Sequence, residues 1–367
     1  MTKTIHLIAA ARPNFMKIAP LYHALKDQDW CQVKIIHTGQ HYDANMSDNI
    51  FADLSLPQPH FHLGVGSGTH AEQTGNVMIA YEKICLEEER PDLLVVVGDV
   101  NSTAACAMVG TKLHIPTAHL EAGLRSGDRR MPEEINRLVT DAICDYLWTP
   151  SPDADENLRR EGHPESRIQR LGNIMMDSFE MLRERIVAED SPTKFGLTPQ
   201  KYAAVTLHRP SNVDEADTLS TLVDQLLKVA EKLPILFAVH PRTRGSLNNF
   251  SLWDTLNNHP NIQLVDPVSY APFMSLVMNA RLIITDSGGI QEESTYLGIP
   301  CLTLRENTER PITVTEGTNR LVNPSALLEH VDLVLDGKWN EGQKPDYWDG
   351  QTAIRIRELI KNDILAS

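Results

Sequence analysis

The chain has 367 residues, 41% of them hydrophobic, and a net charge of −15. That length exceeds one ordinary core and fits two domains. The acidity argues against nucleic acid or an anionic membrane as the main partner, while a few placed Arg and Lys can still hold a small anion. Five dispersed cysteines, Cys31, Cys85, Cys106, Cys144 and Cys301, form no Cys-x-x-Cys pair. They read as small buried hydrophobes in a reducing compartment, not as a disulfide framework or a zinc site. No run approaches the roughly 20 apolar residues of a membrane helix, and Ile5–Ala11 is too short for a secretory signal. A cytoplasmic protein without a membrane partner is expected.

Strands and helices alternate along the first half. Thr4–Ala10 reads as a strand, and Ala11-Arg-Pro-Asn-Phe-Met-Lys17 turns into a helix reaching Lys26. Val33–Thr38 is the second strand, followed by Gly39-Gln-His-Tyr-Asp43 and a short helix over Asn45–Leu54. A long amphipathic helix is predicted over His70–Glu89. Leu93–Val97, Pro116–Leu120 and Tyr146–Thr149 are further strands, separated by helices over Ser102–Lys112, Pro132–Cys144 and Asp153–Glu161. This order predicts a parallel sheet with helices on both faces.

The polar stretch Val187–Lys201 separates two periodic regions, so the domains are placed at 1–185 and 186–367, with the last helix free to pack back on the first domain. Strands then fall at Ala203–Leu207, Ile235–Val239, Ile262–Val265, Leu282–Thr285 and Cys301–Leu304. Helices intervene over Glu215–Lys232, Thr243–Leu256, Pro272–Met278 and Ile290–Leu297, with later ones over Ser325–Leu335 and Gln351–Ile360. The fold class is α/β: two doubly wound, Rossmann-like domains facing a cleft.

In such sheets ligands bind beyond the carboxyl ends of the strands. The stretch Asp286-Ser-Gly-Gly289 follows one strand and opens a helix. Unpaired N–H groups and the helix dipole there suit a phosphate or diphosphate, and Glu293 is placed to accept hydrogen bonds from a sugar diol. A tight turn using its glycines only for conformation is the alternative. Arg12 and Lys17 follow the first strand, and Gly98-Asp99, Glu121-Ala-Gly-Leu-Arg125, His208-Arg-Pro210, His240-Pro-Arg242 and Glu309-Arg-Pro311 follow others. Carboxylates and histidines beside anion-binding groups suit acid/base chemistry on a phosphorylated ligand.

Each piece has a plainer reading. Asp99 also fits a helix cap. Glu133 and Glu134 stand in a helix's first turn, where acids favour the dipole, and Glu133 to Arg137 has the i,i+4 spacing of a surface ion pair. His208 also reads as an ordinary loop histidine. His60-Phe-His62 reads as a strand surface, since no third metal ligand lies at suitable spacing. No Gly-x-Gly-x-x-Gly follows a strand, and neither a P-loop nor a Gly-x-Ser-x-Gly elbow is present, so nicotinamide chemistry, P-loop phosphoryl transfer and serine hydrolysis are unsupported.

Taken in order, Ala11-Arg-Pro-Asn-Phe-Met-Lys-Ile-Ala-Pro20, Gly98-Asp-Val-Asn-Ser-Thr103, His119-Leu-Glu-Ala-Gly-Leu-Arg-Ser-Gly127, Pro132-Glu-Glu-Ile-Asn-Arg137, Thr206-Leu-His-Arg209, Asp286-Ser-Gly-Gly-Ile-Gln-Glu-Glu293 and Thr308-Glu-Arg-Pro311 resemble the non-hydrolysing UDP-N-acetylglucosamine 2-epimerases. The resemblance runs on to Gly317-Thr-Asn-Arg-Leu-Val322. It implies the GT-B-type two-domain fold of many glycosyltransferases, a UDP-sugar partner, a homodimer, and no metal or other cofactor. It implies reversible inversion at C2 of UDP-GlcNAc, by elimination of UDP to a 2-acetamidoglucal and re-addition. Asp99, Glu121, Glu133 and His208 match the family's catalytic positions. Arg12, Lys17, Arg137, Ser287, Gly288, Gly289, Glu293 and Arg310 match substrate-binding positions, with Phe273 near the uracil.

The chain departs from the family in three places. Ala10-Ala-Arg-Pro-Asn14 replaces a Gly-Thr-Arg-Pro-Glu run, Val268 replaces a glutamine beside the uracil, and Gln40-His-Tyr-Asp43 replaces the Gln-His-Arg-Glu of members regulated by a second UDP-GlcNAc. Alternatives are a UDP-2,3-diacetamido-glucuronate 2-epimerase, a hydrolysing 2-epimerase, a glycosyltransferase of the same fold, and a UDP-sugar sensor without activity.

Overall fold

A run such as Leu93-Leu-Val-Val-Val97 has no polar face, so it is stable only where both faces of a strand are covered. The chain, as a computed structural model describing residues 2–39 and 51–366, uses such runs to build two parallel sheets. It divides into two compact units, Met1–Met181 with Asp346–Ser367, and Leu182–Pro345.

The first unit holds β1 (Lys3–Ala9), β2 (Cys31–His37), β3 (Phe61–His62), β4 (Leu93–Val97), β5 (Thr117–Leu120), β6 (Tyr146–Thr149) and β7 (Ile168–Arg170). They lie in the order β3-β2-β1-β4-β5-β6-β7. The second holds β8 (Ala203–Thr206), β9 (Ile235–Ala238), β10 (Ile262–Val265), β11 (Leu282–Thr285), β12 (Cys301–Thr303) and β13 (Asn319–Leu321), in the order β10-β9-β8-β11-β12-β13. Strand order reverses between β1 and β4 and between β8 and β11, which opens a crevice at each carboxyl edge.

Register then decides which loops meet. Val97 of β4 lies opposite Leu120 of β5, so Gly98-Asp99 and Glu121 leave the first sheet side by side. Thr206 of β8 lies opposite Thr285 of β11, which brings His208 next to Asp286 in the second.

Each sheet has its own core. In the first unit Ile8, Leu94 and Val96 pack with Val77 and Tyr81 of the helix His70–Lys83 and with Ala105 and Val109 of the helix Asn101–Lys112. In the second, Val205, Phe237 and Ile284 pack with Leu219, Leu222 and Leu226 on one face of the helix Ala216–Ala230. The C-terminal helix Thr352–Leu359 belongs to the first unit, where Asp177 accepts the amide N–H groups of Thr352 (3.1 Å) and Ala353 (2.8 Å). Two of that helix's orphan first-turn donors are thereby satisfied. All five cysteines are buried and unbridged, as their apolar surroundings predict.

Several elements differ from the sequence reading. The helix predicted over His70–Glu89 runs to Lys83 and finishes as a π-helical turn, Ile84–Glu88. The one over Thr243–Leu256 is two, Pro241–Asn249 and Trp253–Asn257, broken where Ser251 takes a φ of 56°. Strands β7 and β13 and the helix Ile174–Glu189 have no counterpart among the predicted elements. The helix placed over Asn45–Leu54 falls largely, and Gln40–Asp43 wholly, outside the described residues. Among the described residues no helix is long and apolar enough to cross a membrane.

Candidate active site

In the first unit, Arg12 is exposed as the first residue of the helix Arg12–Leu25. Five residues on, Lys17 swings its ammonium onto Glu121 Oε2 in a short ion pair with little solvent access. Glu121 has a φ of 74°, and a non-glycine residue in that left-handed region costs about 1–3 kcal/mol and persists only where its surroundings fix it. They do: Trp148 O accepts the N–H of Glu121 at 3.0 Å and of Ala122 at 3.1 Å. Asn14 is buried, accepts the Ala11 N–H at 3.1 Å and donates to Val97 O at 3.1 Å. An amide performs both tasks and a carboxylate only the first, which accounts for the asparagine at this departure from the family pattern.

Asp99 is held by the helix Pro132–Ile143. Arg137 forms a short ion pair with its carboxylate, and Asn136 Nδ2 donates to its carbonyl oxygen at 2.9 Å. Arg137 also donates to Glu134 at 2.9 Å. The i,i+4 spacing pairs Arg137 with Glu133, but in the structure its partner on this helix is Glu134. Glu133 is exposed in the helix's first turn, whereas Glu134 is buried and takes Arg137 together with the amides of Ser126 (2.9 Å) and Gly127 (3.0 Å). Burial pushes the Glu134 carboxyl up, but these hydrogen bonds outweigh it and leave it below its ordinary value. Arg125, which ends the quoted Glu121–Arg125 run, is engaged by Asp141 and Glu161, each at 2.7 Å.

In the second unit, Asp286 is fully buried at the end of β11. It accepts the backbone N–H groups of His208 and Arg209 and the Asn212 amide at 2.9–3.1 Å, and lies 2.8 Å from His208 Nδ1. That contact places a hydrogen on Nδ1, donated to the carboxylate. His240 stands with its ring centroid 5.6 Å from that of His208, and burial together with His208 lowers its pKa.

Ser287 is the N-cap of the helix Gly288–Leu297, with Gly288 and Gly289 as its first residues. A Cβ on Gly288 would lie 2.9 Å from Arg310 Nη1, so the missing side chain is what lets a guanidinium close on the helix terminus. The Arg310 Nε is 2.9 Å from Glu292 Oε2. That contact is an ion pair. First-turn amides plus a guanidinium make an anion cradle.

Glu293, one and a half turns in, is buried and accepts the Tyr270 hydroxyl at 2.7 Å. Burial raises its pKa to about 8, with Glu292 adding repulsion and the Tyr270 bond opposing. Phe273 lies half-buried on the same helix as Tyr270, Tyr270–Met278.

The structure therefore groups Lys17, Asp99, Glu121 and Arg137 at the carboxyl edge of the first sheet. It groups His208, Ser287, Gly288, Gly289 and Arg310 at that of the second, with Glu293 in the helix behind. Arg12 and Glu133 are exposed, each in the first turn of its helix. The sequence assigns no role to Asp286, Tyr270, His119 or Asp141; two of them, Asp286 and His119, stand within quoted motifs, and Tyr270 and Asp141 carry no such signal.

The comparisons agree in scope. Residues 23–361 match the family model for UDP-N-acetylglucosamine 2-epimerase. A UDP-N-acetylglucosamine 2-epimerase of Methanocaldococcus jannaschii is 42% identical over 97% of this chain and 98% of its own. A UDP-2,3-diacetamido-2,3-dideoxy-D-glucuronate 2-epimerase of Pseudomonas aeruginosa is 37% identical over 96% of this chain and 98% of its own. The M. jannaschii enzyme's crystal structure in complex with UDP-GlcNAc and UDP superposes with a TM-score of 0.87, covering 98% of this chain and 99% of that one. With its motifs, its paired parallel sheets and its full-length relatives in agreement, this chain belongs to the UDP-N-acetylglucosamine 2-epimerase family.

Proposed function

We propose that this chain interconverts UDP-GlcNAc and UDP-ManNAc, without net hydrolysis, through a 2-acetamidoglucal. The C2 proton of the sugar is not next to a carbonyl, so its direct removal near neutral pH is hopeless. As the C1–O bond to UDP lengthens, positive charge builds at C1 and acidifies C2. The C2–H electron pair becomes the C1=C2 bond, UDP departs with the C1–O pair, and the proton passes to a base. Re-addition returns UDP oxygen to C1 and a proton to the opposite face of C2. No electrons are gained or lost overall.

In this reading Asp99, Glu121, Glu133 and His208 supply the proton transfers. Arg12, Lys17, Arg137 and Arg310 steady negative charge, the Ser287-Gly288-Gly289 turn takes the diphosphate, Glu293 the ribose hydroxyls and Phe273 the uracil. The observation that carries it is Glu121: a buried carboxylate in strained backbone, beside Asp99, in a chain whose other sheet carries the anion cradle. Such strain is retained where function needs the geometry.

The test is incubation with UDP-GlcNAc in deuterium oxide, followed by NMR. Deuterium at C2 of UDP-ManNAc without accumulation of free UDP is expected. Build-up of ManNAc and UDP would replace this reading with a hydrolase, and turnover only with the diacetamido-glucuronate substrate would replace the sugar. The homodimer that the family resemblance implies is proposed with it. Sedimentation at the 41.1 kDa mass of one chain would exclude it.

A further inference from the structure

One buried ion pair lies behind the Asp99 and Glu121 loops and is not used in the chemistry above. His119, on β5, and Asp141, near the end of the helix Pro132–Ile143, have no solvent-accessible side-chain surface. His119 Nδ1 lies 2.6 Å from Asp141 Oδ1, and His119 Nε2 lies 2.8 Å from the carbonyl oxygen of Gly98. Both partners are acceptors, so hydrogen-bond accounting puts a hydrogen on each ring nitrogen. The ring is then a buried cation, and Asp141 supplies the opposite charge.

Asp141 reaches both functional loops. Through His119 it holds the carbonyl of Gly98, the residue before Asp99. Through its other oxygen it accepts the N–H of Gly123 at 3.0 Å, two residues after Glu121, and lies 2.7 Å from Arg125. Arg137 and Asp141 are four apart on their helix, hence on one face. The helix therefore grips Asp99 directly, through Arg137 on that face and Asn136 beside it, and grips its neighbour indirectly through His119. Gly98 (φ 70°) and Glu121 (φ 74°) both sit in left-handed backbone, a conformation that loops do not keep unaided when one of the two is not glycine. Burial raises the Asp141 carboxyl, but His119 and Arg125 outweigh it, and the net shift is downward.

We infer that His119 and Asp141 are positioning residues of the epimerisation site: a doubly donating imidazole that fixes the Gly98–Asp99 peptide, clamped by a carboxylate that also fixes the Glu121 loop. This deepens the proposed function and rests on it for its kinetic readout. The groups act through Asp99 and Glu121 and touch no substrate themselves.

The substitutions separate the two nitrogens. An asparagine amide nitrogen falls near the place of Nδ1, and a glutamine's near that of Nε2. His119→Asn keeps the donor to Asp141 and loses the one to Gly98. His119→Gln keeps a donor for Gly98. In folded protein, His119→Asn should lower kcat about 10–100-fold, the scale seen for outer partners that orient metal ligands, with KM within about threefold. His119→Gln should recover roughly tenfold of that loss. In a cycle with Asp99→Asn, the His119→Asn penalty should nearly vanish, because both act on one group.

The wild-type protein provides a test that needs no variant to fold. With ¹⁵N-histidine labelling, His119 should show two slowly exchanging ring N–H signals across pH 6–9. A single ring N–H overturns the inference. So does wild-type kcat in folded His119→Asn, or a penalty that stays fully additive with Asp99→Asn. Should wild-type protein show no exchange at C2 of UDP-GlcNAc, the functional reading fails, and the ring signals still decide where the hydrogens lie.

Discussion

His208 Nδ1 rests 2.8 Å from Oδ1 of Asp286, a carboxylate that also ties down the backbone amides of His208 and Arg209. One buried acid thus sets the tautomer, the ring direction and the loop of a single histidine. Burial pushes the Asp286 carboxyl up, but His208, Asn212 and the amides prevail, and it stays below its ordinary value. It therefore remains an anion through the neutral range and keeps the hydrogen on Nδ1.

Asp286→Asn should lower turnover nearly as far as His208→Ala, by about 10²–10⁴-fold for loss of a placed acid or base. The double variant should be little worse than either single one, since one function is removed twice. Steady-state rates of the three variants check this. An Asp286→Asn enzyme within about twofold of wild type would mean that His208 does not depend on that orientation.

Glu121 and Lys17 make a pair with side-chain exposures of 4% and 12%, so breaking it leaves a charge with little water around it. Glu121→Gln should lose about 10²–10⁴-fold in turnover and also some 3–5 kcal/mol of stability, the usual cost of orphaning a buried partner. Adding Lys17→Met removes the stranded ammonium and should restore most of the stability, while turnover stays low. Denaturant unfolding beside kinetics separates the effects. A double variant no more stable than Glu121→Gln would show that the pair is solvated in practice.

How far these groups were legible follows from where their signals lie. β4 and β11 were readable because five consecutive apolar residues, and three followed by a β-branched threonine, have one environment that suits them, a sheet covered on both faces. β7 and β13, sequences Ile-Gln-Arg and Asn-Arg-Leu, are short edge strands whose half-exposed polar positions resemble loop. The Ser287-Gly288-Gly289 turn was legible as an anion site, yet the reason for Gly288 was only half visible: space for Arg310, 22 residues on, is a tertiary fact. Helix spacing offered Arg137 two acids, Glu133 and Glu134, and the sequence cannot say which is buried. The Ser126 and Gly127 amides decide it, since they give Glu134 a fixed set of donors. His119 with Asp141, and His208 with Asp286, are contacts across 22 and 78 residues that no local pattern encodes.

The nucleotide cradle makes a graded prediction. Gly288→Val should abolish UDP binding, because its side chain would enter the space Arg310 uses. Ser287→Ala should be mild, since the first-turn N–H groups remain. Arg310→Ala should weaken UDP by roughly 1.5–3 kcal/mol, the range for a charge-assisted hydrogen bond, and barely change uridine. Glu293→Ala should weaken both ligands. Calorimetry with UDP and uridine reads the pattern, and equal losses of the two ligands in Arg310→Ala would remove Arg310 from the diphosphate.

Glu293 has a pKa near 8 in the folded protein, chiefly through burial, against an ordinary carboxylate value of 4.5. A carboxyl whose folded pKa is raised holds a proton that the unfolded chain has already released. Stability therefore falls as pH rises from about 4.5, and the loss levels off once pH passes about 8. Glu293→Gln keeps an oxygen to accept the Tyr270 hydroxyl and carries no titrating proton. Its melting temperature should match wild type near pH 5, exceed it increasingly toward pH 8, and hold a constant lead above that. The same variant should bind UDP and uridine more weakly, because an amide oxygen is a poorer acceptor for a ribose diol than a carboxylate. Stability gained and affinity lost at one atom would mark Glu293 as a binding group retained at a cost to the fold. Melting curves at pH 5, 7 and 9 decide it: a difference from wild type that stays constant from pH 5 to 9 would show that Glu293 is already ionised in the free protein.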